Sequence, residues 1–169
     1  MNNSIFSTVP RAEPTNILNE AGGLAYARSP KEALEQYALT GCFNSTFYVS
    51  AQDHLAKALE LCAAVNDPAW IADLACRARR DGLMKDMPVF LLAYVATKDG
   101  DAFRTAFPVC VDNVKQLSKF TRVIRSGVLG RKSLSRRIAN AVERWLDAQT
   151  DENLWWQSVG VADPSLADI

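Results

Sequence analysis

One histidine, His54, and four scattered cysteines, Cys42, Cys62, Cys76 and Cys110, are all the soft metal ligands this chain possesses, and no two cysteines form a C-x-x-C pair. A structural zinc site has almost no ligands to draw on. Each cysteine stands in an apolar or helical context, so the expectation for all four is a small buried hydrophobe in a reducing compartment. Long apolar runs are missing as well. The longest, Val89 to Ala96, has eight residues, against the roughly 20 a membrane span needs. Met1 to Pro14 lacks the basic-then-apolar order of a signal peptide. No membrane association and a cytoplasmic location are therefore expected. There is no low-complexity tract, and no alternation of period two runs long enough to pair as a strand.

What remains is a chain of 169 residues, 49% hydrophobic, enough to bury a real core. Residues 1–28 carry few periodic signals; Pro10 and Pro14 suggest an extended arm and Gly22-Gly23 a turn. From there the pattern is helical. Ser29-Pro30 reads as an N-cap followed by proline at the first helical position, opening Lys31 to Leu39, which Gly41 stops. A second helix is expected from Ser50 to Val65 with Leu55, Leu59 and Cys62 on one stripe. Asp67-Pro68 opens a third, ending near Gly82. Asp86 to Lys98, apolar nearly all round, should be the most buried helix. Asp99-Gly100-Asp101 punctuates before a helix to about Val111, with Pro108 a potential bend.

Asn113 to Arg125 is predicted to be amphipathic, with Val114, Leu117, Thr121 and Ile124 inward. Ser133 to Gln149 follows with Leu134, Ile138, Ala141, Val142 and Trp145 inward, then a short helix over 150–158. Asp163-Pro164 starts one more helix that Ile169 cuts short, which reads as truncation. Short helices with short turns suggest an all-α protein: HEAT-like antiparallel helix pairs forming part of an α-solenoid, with a compact bundle as the structural alternative.

Charge is where the sequence speaks about partners. The net charge is zero, yet Asn113 to Arg144 holds nine basic residues and one acid, Glu143, a local excess of +8. On the Asn113–Arg125 helix, Lys115, Lys119, Arg122 and Arg125 fall within about a third of the circumference at 100° per residue. Arg136, Arg137 and Arg144 lie on the next helix, away from its apolar side. Between the helices, Ser126 to Ser133 is a glycine-flexed loop ending in Arg131, Lys132 and Ser133 at a helix start. Flexible backbone, free N–H groups and two cations suit phosphate. The loop lacks the G-x-x-x-x-G-K-[ST] spacing and a preceding strand, which argues against ATP. Concentrated cations of this kind point to nucleic acid, the other reading being a basic face that meets an acidic partner.

Several strings resemble landmarks of one family. Arg125-Ser126-Gly127-Val128-Leu129-Gly130-Arg131-Lys132-Ser133-Leu134 resembles the S-G-x-x-G-R-x-x-L signature of TROVE modules, the Ro-type RNA-binding fold. Asn19 to Tyr26 resembles that family's opening, Gly41 to Tyr48 its next landmark, Met84 to Pro88 the start of its buried helix, and Ser158 to Gly160 with Asp163 to Ile169 a later one. The resemblance is collinear over nearly the whole chain. It implies HEAT-like repeats arranged as a ring, whose basic surface holds small structured noncoding RNAs and whose central hole accepts single-stranded RNA ends, in RNA quality control. On this reading residues 29–169 are the N-terminal part of a truncated TROVE-like module behind an arm at 1–28. A second chain would complete the ring, and no D-x-S-x-S motif of a von Willebrand factor A domain is present.

The resulting expectation is an RNA-binding module that is not an enzyme and uses no cofactor or metal. Its RNA contacts would be Lys115, Lys119, Arg122, Arg125, Arg131, Lys132, Ser133, Arg136 and Arg137. The alternative is a non-catalytic helical-repeat scaffold whose basic face binds a protein partner. His54 beside Asp53 is expected to be a surface or cap residue, Asp73, Asp81 and Asp86 caps or solvated charges, and Tyr26, Phe47 and Tyr48 core aromatics.

Overall fold

A computed structural model describes residues 17–47 and 49–126, with Arg136 and Asn140 beyond them. Six helices occupy the described residues: α1 (Pro30–Thr40), α2 (His54–Val65), α3 (Pro68–Asp81), α4 (Met87–Lys98), α5 (Gly100–Cys110) and α6 (Val114–Arg125). The protein is all-helical over this span; an isolated antiparallel bridge between Leu18 and Leu24 is the one piece of β pairing among the described residues. No helix there is long and apolar enough to cross a membrane.

Local chemistry sets the boundaries. Ser29 accepts from the Glu32 N–H, Asp67 from Trp70, Asp99 from Asp101 and Ala102, and Asn113 from Gln116. Each such cap satisfies donors the helix leaves orphaned and contributes about 1 kcal/mol. Asp99 serves two helices at once, ending α4 and capping α5, which leaves no loop between them. Gly41 ends α1 in the left-handed region at φ 82°, a conformation that calls for glycine. The second helix departs from expectation. It begins at His54 rather than Ser50, because Asp53 supplies the cap, while the Ser50 backbone N–H and hydroxyl both donate to Glu60 at 2.8 Å. Its buried stripe is Ala58, Leu61 and Cys62, with Leu55 and Leu59 only partly covered.

The apolar helix α4 is the hub, in contact with each of the other five helices. Met87, Pro88, Val89 and Leu91 through Val95 are all buried. Helices two apart in the chain (α1 with α3, α2 with α4, α3 with α5, α4 with α6) also touch. Alanines at 33, 38, 58, 72, 75, 78 and 93 are buried and let helix axes approach closely. Toward α6 the packing changes to large rings: Phe120 stacks on Phe103 at 5.8 Å and meets Phe107 edge-on at 5.6 Å. Pro108 lies inside α5, which continues through it to Cys110.

Residues 17–28 are tied down. Asn19 closes a tight turn around Gly22 and Gly23, and the Ala27 N–H donates to the Asn44 carbonyl at 2.7 Å. Gln36, buried on α1, clamps the segment by donating to the Ala25 carbonyl and accepting from the Asn44 N–H. The same clamp thus joins the Asn19–Tyr26 string to the Gly41–Phe47 string. Glu35 and Arg77 form an ion pair between α1 and α3, with the Glu35 side chain 1% exposed.

Candidate functional site

Helix α6 carries no acidic residue along its length. Its buried residues are Gln116, Leu117, Phe120, Val123 and Ile124, so the inward stripe centres on Phe120. Val114, expected inward, is 37% exposed, and Thr121 is half-buried. The Phe103–Phe107–Phe120 cluster draws position 120 to the core and turns positions 114 and 121 toward its edges. That rotation leaves Lys115, Arg122 and Arg125 exposed on the far side.

Lys119 is the member of the set that is engaged from elsewhere in the fold. Its Nζ lies 2.7 Å from the Asp86 Oδ1, and its side chain is 18% exposed. Asp86 precedes α4 without making a side-chain cap, its carboxylate being turned to α6 instead. The pair ties α4 to α6 and removes one cation from the row. Lys85, the chain neighbour of Asp86, is exposed. Lys85 lies far from the basic window in sequence, and the Lys119–Asp86 pair places its chain neighbour against α6.

Asp112, just before the α6 cap, is committed too. Asp112 accepts from Arg79 Nη2 at 2.9 Å and from Asn113 Nδ2 at 3.1 Å. No ion pair among the described residues involves Lys115 or Arg122. Among the described residues the result is a helix face with two outward cations outside any ion pair, Lys115 and Arg122, while Asp86 and Asp112 are engaged by Lys119 and Arg79. Arg122 and Arg125 sit in the last turn, where they also complement the helix dipole. Arg136 is helical and exposed, while Arg131, Lys132, Ser133 and Arg137 lie outside the described residues.

Elsewhere the individual expectations divide. Cys62 and Cys110 are buried and Cys76 is partly so, but Cys42 is exposed because it follows the Gly41 helix stop. Tyr26 is 51% exposed, its hydroxyl 3.0 Å from Thr46 Oγ1, and so is not a core ring; Phe47 packs against the core and Tyr48 lies outside the described residues. His54 is the exposed first residue of α2, and its Nδ1 is 2.5 Å from the Tyr37 hydroxyl. Burial, with smaller contributions from Cys42 and Asp53, pushes the Tyr37 hydroxyl up to about 12. Among the described residues no cluster of three or more histidines, cysteines or carboxylates is arranged to hold a metal.

No protein-family model matches this chain, and no curated protein or solved structure matches it.

Proposed function

We propose that this chain is an RNA-binding helical-repeat module of the Ro-like TROVE type, that α6 is the described part of its RNA-facing surface, and that it acts without catalysing a reaction. The observation that carries the reading is the pairing pattern of charge. Lys115 and Arg122 are exposed on a helix without carboxylates, and among the described residues Asp86 and Asp112 are bound to Lys119 and Arg79. Exposed cations such as Lys115 and Arg122 attract a polyanion through counterion release and need no base-specific pocket. The arrangement of helices that touch at a spacing of two supports the finer proposal of stacked HEAT-like pairs, since such stacking is how a solenoid buries its core.

In this reading Lys115, Arg122 and Arg125 contact phosphates, joined by Arg131, Lys132, Ser133, Arg136 and Arg137 from the segment that follows. Lys85 extends the row, and Lys119 contributes less than its place in the sequence suggests. The RNA-quality-control role, with small structured noncoding RNA or single-stranded RNA ends as ligands, follows from the TROVE resemblance.

The test is binding of a small structured RNA by the wild-type chain and by Lys115→Ala/Arg122→Ala, at fixed low salt. The expected result is tight binding by the wild type and a clear loss in the double variant. A chain that ignores RNA but binds polyglutamate through the same two residues would belong to the protein-scaffold class.

A further inference from the structure

The segment that leads into α1 is a short pinned ribbon. The Asn19 N–H donates to the Gly23 carbonyl at 2.7 Å and the Ala25 N–H to the Ile17 carbonyl at 2.9 Å. These two bonds flank the Leu18–Leu24 bridge, which makes Leu18 and Leu24 a non-hydrogen-bonded antiparallel pair with side chains on one face. Side chains alternate between faces along such a ribbon, and that carries Tyr26 and Arg28 to the face of Leu24. Burial follows the same alternation: Tyr26 is 51% exposed, Ala27 2%, and Arg28 exposed again. Leu18, 46% exposed, stands on that face as well.

A single exposed aromatic needs no explanation. Tyr26, however, is held at both ends. Its hydroxyl lies 3.0 Å from Thr46 Oγ1. On its backbone side, Asn44 Nδ2 donates to the Leu24 carbonyl at 3.0 Å, Gln36 Nε2 donates to the Ala25 carbonyl, and the Ala27 N–H donates to the Asn44 carbonyl at 2.7 Å. A ring fixed in this way, with half its surface in solvent, has little freedom left to lose when a flat ligand lies on it. The cation beside it is available. Arg28 takes part in no ion pair among the described residues, and the Glu32 carboxylate accepts the Arg28 backbone N–H at 2.6 Å.

We propose that Tyr26 is a base-stacking platform for single-stranded RNA, with the Arg28 guanidinium meeting a phosphate of the same strand and Leu18 extending the apolar floor. This rests on the RNA reading above and adds to it a contact with bases, where α6 offers contacts with phosphates. A pinned aromatic face next to a cation is the combination that single strands use: every base has a π-face to stack, and the backbone follows the charge. Positions two apart on an extended ribbon are about 7 Å from each other, so one nucleotide can meet both residues. Bases inside a duplex are already stacked on one another, and this face therefore favours unpaired RNA.

Photocrosslinking of the full chain to an oligouridine carrying 5-iodouridine, with the attachment site mapped by mass spectrometry, tests the proposal. The link is expected at Tyr26. Tyr26→Ala should weaken binding of the same oligomer roughly tenfold and leave its salt slope unchanged, because no phosphate contact is removed. Tyr26→Phe keeps the ring face and should bind nearly as wild type does. Arg28→Ala should lower the salt slope by about 0.7 unit, the value for one phosphate of a single strand. An abasic oligomer of equal length should not distinguish wild type from Tyr26→Ala. The proposal is overturned if the wild-type link maps away from Tyr26, or if a folded Tyr26→Ala chain binds oligouridine as tightly as wild type. Should structured RNA still depend on Lys115 and Arg122 in that case, the α6 reading stands without it. A wild-type chain that binds neither oligouridine nor structured RNA at low salt overturns both. The wild-type crosslink decides even if a variant does not fold.

Discussion

Arg77 on α3 and Arg122 on α6 are the same residue type on helices of one core, put to opposite uses. Arg77 is drawn inward to Glu35, and its α3 neighbour Arg79 is matched by Asp112. Lys31 on α1 likewise pairs with Asp67 at 3.0 Å, and that carboxylate caps α3 with its other oxygen. On α6, Lys119 is drawn to Asp86, while Lys115 and Arg122 are exposed and take part in no ion pair among the described residues. A matched cation holds the fold together; an unmatched one is available to a partner. The two regions should therefore respond differently to the same kind of substitution.

The largest effect is expected at Arg77. Arg77→Ala leaves the buried Glu35 carboxylate without this partner and should cost about 3–5 kcal/mol, read as a lower denaturation midpoint in urea. Lys115→Ala/Arg122→Ala should shift stability by no more than about 0.5 kcal/mol per site while weakening RNA binding. A double variant that unfolds would erase the contrast between the regions. Asp86→Asn is expected to sharpen it. The change frees Lys119, costs at most about 1 kcal/mol as a partly exposed pair, and should steepen the salt dependence of RNA binding by roughly one unit.

Two smaller effects concern uncharged groups. The Tyr37 hydroxyl ionises at about 12 in the fold, against about 10 in an unfolded chain. Its contribution to stability is complete below pH 10 and is lost as pH rises through the folded value. Tyr37→Phe should flatten the stability profile across that window, as measured by urea titration at several alkaline pH values. Gln116 Oε1 is buried without a hydrogen-bond partner. Gln116→Leu should therefore be neutral or stabilising by up to about 1 kcal/mol, seen as an unchanged or raised melting temperature.

The fold's helical elements were readable because their punctuation is local. Ser29-Pro30, Asp67-Pro68, Asp99 and Asn113 place helix starts where the structure has them, and Gly41 and Gly82 place two of the ends. Faces were harder. The stripes of α2 and α6 are each rotated from the expected positions, since the inward residue is chosen by what packs opposite, and no single helix contains that information. The Asp86–Lys119 and Glu35–Arg77 pairs join residues far apart in sequence for the same reason. The charge asymmetry was legible at once. Which cations it leaves unmatched depended on where Asp86 and Asp112 fall in space.

The claim on which the account rests is that α6 and the segment after it meet RNA through phosphates. Filter binding of a small structured RNA across a series of salt concentrations measures this directly. The account predicts a steep linear fall of log affinity with log salt, reduced by about one unit for each phosphate contact removed at Lys115 or Arg122. Affinity that does not change with salt, or a slope identical in wild type and double variant, would contradict it.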